Sequence, residues 1–191
     1  MNPFEFFIPQ NIIVGAGTLV RLPECAQKLG GTHAMLLSGP TLRKMGIVDK
    51  AAKYLEDAGM KVDIFTEIEA NPSVTTVEKA TTAFKEAGAD FIVALGGGSP
   101  MDVAKAVGVT AKYGGSITEY EGAHKVPGKI IPLIAIPTTA GTGSEVTAFS
   151  VITDHSRDYK LTVFSYKLFP SYAILDPELL TSAPASVAAA C

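Results

Sequence analysis

The residues that decide the fold run from an apolar segment through glycines into the start of a helix: Phe91-Ile92-Val93-Ala94-Leu95-Gly96-Gly97-Gly98-Ser99-Pro100-Met101-Asp102. A continuous apolar run of this length predicts a strand buried on both faces, as in a parallel sheet. Glycines let a ligand approach the backbone, and the amides of the following helical turn favour an anion such as phosphate. The segment therefore predicts a phosphate-binding turn.

The helix after this turn has its own start signals. We place Ser99 at the N-cap, Pro100 at the first helical position and Asp102 three residues after Ser99. In the alternative interpretation Ser99 and Asp102 form only a capping box and the glycines only a tight turn. Three consecutive glycines cost more backbone entropy than a simple turn requires. That cost favours phosphate binding.

Further strand-length apolar runs alternate with helical patterns. The runs cover residues 12–14, 34–37, 62–65, 91–95, 130–136 and 172–175, and Pro132 suggests that the fifth strand begins after it. One helix is predicted over residues 41–58, another between Ser73 as N-cap and Gly88 as its end, and a third after Ser99. This alternation predicts an α/β fold with a doubly wound parallel sheet, whose ligands bind at the carboxyl ends of the strands. Residues 1–14 and 151–163 are predicted as two β-hairpins.

Composition limits the class of protein. The chain has 191 residues, 47% of them hydrophobic, and a formal charge of −3 with interspersed charges, so nucleic acid is not an expected partner. Cys25 and Cys191 lie far apart and indicate no disulfide framework. We find no signal-peptide pattern and no apolar stretch long enough for a membrane span, so a cytoplasmic location away from membranes is expected.

Two other loops contain glycine. Pro137-Thr138-Thr139-Ala140-Gly141-Thr142-Gly143-Ser144-Glu145 follows the fifth run, and its hydroxyls suit phosphate, ribose or a carboxamide, or else merely cap a following helix. Gly15-Ala16-Gly17-Thr18-Leu19-Val20 begins like a dinucleotide fingerprint, but Val20 stands in place of the third glycine. We interpret that second segment as a structural turn.

Together, the Gly96–Asp102 turn and the Pro137–Thr147 loop make the chain resemble the iron-containing (group III) alcohol dehydrogenases. The resemblance implies a Rossmann-like dinucleotide domain followed by an all-helical domain that holds Fe²⁺ or another divalent ion. It further implies an enzyme that interconverts small alcohols or diols with aldehydes or ketones by hydride transfer to or from NAD(P). The implied cofactor-binding residues are Gly39, Asn71, Gly97, Gly98, Ser99, Asp102, Thr138, Thr139, Thr142, Lys160 and Leu179.

The chain departs from the family at Gly39. Many members that use NAD carry an Asp there, which bonds the adenosine ribose. Without that carboxylate a 2′-phosphate is no longer repelled, and Ser38 or Arg43 could contact it. We therefore favour NADP as the cofactor, while Gly39 could also simply begin a turn in an enzyme that accepts both.

The second departure concerns the metal. The family's first ligands, an Asp and a His four residues later, would come soon after the helix that begins near Pro184, and the chain stops at Cys191. His33, His124 and His155 match no ligand position, so we expect no bound iron in this chain. Residues 1–181 are expected to form the dinucleotide domain and residues 182–191 the start of a truncated helical domain.

Three alternatives remain open from the sequence. The chain could be the cofactor-binding part of such an enzyme, inactive by itself and homodimeric through exposed apolar surface. It could belong to a glycerol dehydrogenase-like or dehydroquinate synthase-like enzyme. It could also be a nucleotide-binding module without chemistry.

Overall fold

The computed structural model describes residues 8–181. A parallel sheet contains six strands: β1 (Asn11–Val14), β2 (His33–Ser38), β3 (Lys61–Phe65), β4 (Phe91–Gly96), β6 (Leu133–Pro137) and β9 (Tyr172–Leu175). Their order across the sheet is β1-β9-β6-β4-β2-β3, and every neighbouring pair is parallel. The predicted strands are confirmed, and β6 begins at Leu133, directly after Pro132.

Within residues 8–181, six α-helices accompany the sheet: α1 (Leu22–Lys28), α2 (Pro40–Lys44), α3 (Ile47–Asp57), α4 (Val74–Ala87), α5 (Gly98–Tyr113) and α6 (Pro177–Leu180). Alternate residues of β4 point to opposite faces. Ile92 and Ala94 pack into one apolar cluster with α4 and α5, whereas Val93 and Leu95 pack into another with α1 and α3. Helices thus cover both faces, which confirms the doubly wound α/β class and explains why the strands are continuously apolar.

Helix α4 confirms its predicted ends. The Ser73 hydroxyl accepts a hydrogen bond from the Thr76 amide, and Gly88 ends the helix in the left-handed conformation. The single helix predicted over residues 41–58 is wrong. Gly46 adopts φ 74° and divides it into α2 and α3, because a left-handed residue cannot continue a right-handed helix.

The predicted late hairpin is confirmed. Strands β7 (Phe149–Asp154) and β8 (Tyr159–Phe164) pair antiparallel, and the two-residue strand β5 (Gly122–Ala123) lies beside β8. Of the predicted N-terminal hairpin, only β1 falls in the described part, where it forms the edge of the large sheet beside β9. The other arm of that hairpin, and the domain segment predicted at residues 182–191, lie outside the described residues.

The strand order reverses beside β2. The chain continues from β2 to β3 on one side and returns to β4 on the other. Such a reversal leaves a crevice at the carboxyl ends of the two central strands, where ligands bind in open α/β sheets. Gly39 follows β2 and Gly97 follows β4, so the crevice has glycines on both sides.

Candidate functional site

The glycine turn after β4 begins α5 two residues earlier than the sequence suggested. Gly97 is the N-cap and Gly98 the first helical residue, so Ser99 and Pro100 lie within the first turn. The placement of Ser99 at the N-cap is wrong. Gly96 has φ 150° and a Cβ there would stand 2.8 Å from Pro100 Cγ, so only glycine permits this early turn into the helix.

The second loop packs directly against this turn. The Thr138 amide donates to the Gly96 carbonyl oxygen at 2.9 Å. A Cβ on Gly97 would stand 3.0 Å from Thr139 Oγ1, and one on Gly98 would stand 3.3 Å from Thr142 Cγ2. Side chains at residues 97 and 98 would therefore press into the threonines of the second loop. The loop continues into a 3-10 turn, Ser144–Val146, rather than an α-helix.

Two clefts meet at this junction. The first, which we call the Gly39 cleft, has a volume of about 270 Å³ and is lined by Gly39, Thr41, Leu42, Met45, Ile68, Glu69, Ala70, Gly96, Gly97, Gly98, Ser99, Pro100, Thr138 and Thr139. The second, the Lys160 cleft, has a volume of about 340 Å³ and is lined by Asn71, Pro72, Gly98, Ser99, Asp102, Thr142, Ser144, Thr147, Phe149, Val151, Thr153 and Lys160. Gly98 and Ser99 belong to both clefts.

The far wall of the Lys160 cleft joins the β7–β8 hairpin to the loop before α4. Lys160 Nζ donates to Asn71 Oδ1 at 2.8 Å, and the Thr153 amide donates to the Pro72 carbonyl oxygen at 2.8 Å. Asn71 adopts φ 55°, a left-handed conformation that asparagine tolerates better than most residues. Two residues 89 positions apart are thus brought into contact at the cleft.

Asp102 serves neither as a cap partner of Ser99 nor as a free carboxylate. Its Oδ1 accepts from Ser144 Oγ at 2.7 Å and its Oδ2 accepts from the Val151 amide at 3.2 Å. Burial raises the pKa of Asp102, against the opposing influence of Lys105 and these hydrogen bonds. The capping-box interpretation is wrong because the second loop and the hairpin take up both carboxylate oxygens.

Lys105, which the sequence did not single out, lines neither of the two clefts but contacts Ser144 and Thr147, two residues that line the Lys160 cleft. Its side chain is 0% exposed, and Nζ donates to Ser144 Oγ at 3.1 Å, to Thr147 Oγ1 at 3.3 Å and to the Phe149 carbonyl oxygen at 2.7 Å. Burial lowers its pKa to about 8. A lysine within the otherwise apolar stretch Val103–Val109 was the available signal, since buried ammonium groups need partners.

The residues suggested for a 2′-phosphate are placed differently from expectation. Ser38 is fully buried and its hydroxyl donates to the Leu95 carbonyl oxygen at 2.7 Å, so a contact from Ser38 to a phosphate is excluded. Arg43 Nη2 lies 3.1 Å from Asp49 Oδ1 on the surface. Neither residue lines the Gly39 cleft.

Of the eleven residues predicted to bind the cofactor, ten line the two clefts. Leu179 does not, since its side chain packs in the apolar cluster beneath α1 and α3. The neighbouring Leu180 instead lines a third cleft of about 420 Å³, which it shares with Thr139.

The glycine turn after β1, at residues 15–20, is held by the Asp176 carboxylate. Asp176 accepts hydrogen bonds from the Gly17 and Leu19 amides, both at 3.0 Å, and also from the Glu178 amide. These amides are therefore already used within the protein. This arrangement agrees with the interpretation of residues 15–20 as a structural turn.

Residues 8–181 offer neither a cluster of metal-binding side chains nor a membrane-spanning helix. No group of three or more His, Cys, Asp or Glu side chains in this part of the chain could hold a metal ion. No helix in the same range is long and apolar enough to cross a membrane.

Comparison with known proteins identifies the family. A family model described as iron-containing alcohol dehydrogenase matches residues 9–177. The chain is 38% identical to the NAD-dependent methanol dehydrogenase of Bacillus methanolicus, covering 96% of this chain and 48% of that protein. It is 36% identical to the NADPH-dependent butanol dehydrogenase of Clostridium saccharobutylicum, over 97% of this chain and 48% of that protein.

A solved structure agrees. A crystal structure of 1,3-propanediol oxidoreductase superposes with a TM-score of 0.95 at 37% identity, covering 99% of this chain and 50% of that one. The chain thus spans about half the length of the relatives it matches. These matches do not favour a glycerol dehydrogenase-like or dehydroquinate synthase-like enzyme. On sequence and fold together, this chain belongs to the iron-containing alcohol dehydrogenases.

Proposed function

We propose that this chain binds NAD(P) with the pyrophosphate at Gly97, Gly98 and Ser99. One observation carries the proposal: the two clefts meet at Gly98 and Ser99. A dinucleotide has two nucleosides joined by a pyrophosphate, so it needs two pockets with an anion-binding centre between them. The N-terminus of the 16-residue helix α5 supplies amides and a favourable dipole at that centre.

The lining of the clefts indicates which nucleoside each one takes. Leu42, Met45 and Ile68 give the Gly39 cleft an apolar wall that suits adenine. Asn71 and Lys160 give the Lys160 cleft an amide and an ammonium group that suit the nicotinamide riboside, and Asp102 lines the same cleft while its carboxylate holds the second loop and the hairpin. In this orientation Thr138 and Thr139 flank the adenosine side and Thr142 the nicotinamide side.

The proposed cofactor preference is NADP. Gly39 places no side chain at the end of β2, and a Cβ there would meet nothing closer than the Ile68 carbonyl oxygen at 3.7 Å. A 2′-phosphate would therefore meet no carboxylate from this position. Both NAD-dependent and NADPH-dependent dehydrogenases are among the relatives, so family membership does not decide the matter.

For the whole protein we propose reversible oxidation of a small alcohol or diol to an aldehyde or ketone. Hydride would pass between substrate and nicotinamide at the Lys160 cleft. A divalent ion such as Fe²⁺ would polarise the substrate oxygen; residues 8–181 contain no group of three or more side chains that could hold it, so at least part of its ligand set would come from elsewhere. We accordingly expect this chain by itself to bind cofactor without oxidising alcohols.

We further propose that the protein is a homodimer. Among the strands within residues 8–181, β1 lies at an edge of the sheet, and Ile12 and Val14 on it are exposed at 39% and 71%. An exposed apolar edge strand favours pairing with a second chain. The cytoplasmic location stays a prediction from the sequence.

Titration of the purified chain with NADH and NADPH, followed by nicotinamide fluorescence, tests the cofactor proposal. We expect saturable binding of both, with NADPH binding more tightly. ADP-ribose should compete, because it carries the adenosine and pyrophosphate groups. A folded chain that bound neither dinucleotide at millimolar concentration would contradict the proposal, and NADH binding more than tenfold tighter than NADPH would contradict the preference.

A further inference from the structure

Glu69 brings a negative charge to the Gly39 cleft. Among the cleft-lining residues in the described part of the chain, it is the only one with a charged side chain. The segment that carries it runs beside the end of β2, where the Ile68 carbonyl oxygen is the nearest atom to a Cβ built on Gly39. Residue 39 has no carboxylate, but the adjacent segment brings the Glu69 carboxylate to the same cleft.

The Glu69 side chain is held in place. Its Oε1 accepts from the Ser73 amide at 3.0 Å and from Thr76 Oγ1 at 2.6 Å. Partial burial raises its pKa, but the hydrogen bonds from Thr76 and Ser73 together outweigh burial and leave the pKa below its ordinary value. The carboxylate is therefore ionised at neutral pH, with few rotamers available to it.

No basic side chain from the described part of the chain lines the cleft to offset the negative charge of Glu69. None of the cleft-lining residues from the described range is Lys, Arg or His. The nearest candidate by sequence, Arg43, is paired with Asp49 on the surface. A phosphate group entering the cleft would therefore face the Glu69 carboxylate without compensation from the lining residues.

We propose that Glu69 is a specificity-determining residue for the adenosine ribose, acting against NADP by repelling its 2′-phosphate. The inference rests on the proposed function, which places adenosine in the Gly39 cleft. Under the proposed function Gly39 sets the preference for NADP by leaving room for a 2′-phosphate, and Glu69 makes that preference smaller without reversing it. Salt screens exposed charges over about 8 Å at physiological ionic strength, so a 2′-phosphate held close to the Glu69 carboxylate in this cleft would be repelled by it.

The substitution Glu69→Gln tests this role with little change in shape. Glutamine retains a carbonyl oxygen that can accept from the Ser73 amide and Thr76 Oγ1. We expect the Kd for NADPH to fall about threefold to tenfold, because removal of one charge removes a repulsion of that order. The Kd for NADH should change less than twofold, and the NADPH effect should shrink in 0.5 M salt.

Glu67→Gln provides the matched control. Glu67 lies two residues away with its side chain 74% exposed and 3.9 Å from Lys79, and it does not line the Gly39 cleft. This variant changes net charge by the same amount and should leave both Kd values within twofold of the wild type. Thermal unfolding of both variants reports whether the start of α4 is preserved.

Two results would overturn the inference. An unchanged ratio of the two Kd values in Glu69→Gln, with the variant folded, would remove Glu69 as a determinant. An equal change in Glu67→Gln would show a general charge effect. Failure of the wild-type chain to bind either dinucleotide is a separate result, which would overturn the proposed function and this inference with it.

Discussion

Two glycine turns, one after β1 and one after β4, follow parallel strands at their carboxyl ends. The backbone amides of the two turns lie in different surroundings. After β1, the Gly17 and Leu19 amides donate to the Asp176 carboxylate. After β4, residues 97–99 line the two clefts. The first turn has an internal anion, whereas the second presents its helix start to a cleft. The comparison shows that a glycine turn can bind an external anion only if its amides are not already donating to a carboxylate of the protein.

The substitution Gly97→Val should give the largest effect on this comparison. A branched side chain would press on Thr139 Oγ1, which stands 3.0 Å from a Cβ at this position, and would cover the amides of the turn. We expect the Kd for NADH to rise by at least about 100-fold, equivalent to ~2.8 kcal/mol. Fluorescence titration measures it, with circular dichroism to confirm folding.

Gly17→Ala is the counterpart in the other turn. Gly17 has φ 71° and open space around its Cβ position, so alanine should lower the free energy of unfolding by about 1 kcal/mol through backbone strain. The Kd for NADH should remain within twofold of the wild type. Nearly unchanged NADH binding in Gly97→Val, or a large loss of NADH binding in Gly17→Ala, would contradict the assignment of phosphate binding to the turn after β4.

Asp176→Ala should act on stability and leave binding intact. The amides of Gly17, Leu19 and Glu178 would lose their acceptor, at about 1 kcal/mol each, so we expect a loss of about 2 to 3 kcal/mol in urea denaturation. Glu178→Ala, which removes an exposed carboxylate two residues away, should cost far less. Equal losses in the two variants would mean that Asp176 does not hold the first turn.

Lys105→Met should change how the stability of the chain depends on pH. The pKa of Lys105 is about 8 in the folded chain, below its ordinary value of 10.5. Between these two values the unfolded chain binds more protons, so the wild type should gain roughly 1 to 3 kcal/mol of stability as pH rises from 8 to 10.5. The variant should lack this gain.

Urea denaturation from pH 7 to pH 10.5 measures the difference between Lys105→Met and the wild type. Lys112→Met, at the exposed end of the same helix, should reproduce the wild-type pH dependence. If Lys105→Met also kept that dependence, the buried ammonium would have no part in it. NADH binding to Lys105→Met should weaken about threefold to tenfold, since Ser144 and Thr147 each lose a charged donor.

Much of the fold could be predicted because its signals are local. The strands are continuous apolar runs, and α4 lies between a Ser73 cap and Gly88. The error at residues 41–58 has a local cause as well. The predicted helix was continued through Gly46, and the sequence pattern alone does not reveal that this glycine takes a left-handed conformation.

The site was predicted less completely than the fold. The resemblance supplied the cleft residues, of which only Leu179 lies away from the clefts. It did not supply Lys105, Glu69 or the partners of Asp102. Each of these depends on contact with a distant segment, such as the 39 positions between Lys105 and Ser144.

The sequence by itself determined that glycine turns follow β1 and β4, that the sheet is parallel and buried, and that the chain resembles iron-containing alcohol dehydrogenases. Only the tertiary structure decided which turn remains available to a phosphate. The physical reason is that the conformation of a turn follows from its neighbouring residues. Whether a turn amide already has a hydrogen-bond acceptor depends on which distant segment the fold places beside it. Asp176 reaches Gly17 across 159 positions of sequence, and no local pattern reports that contact.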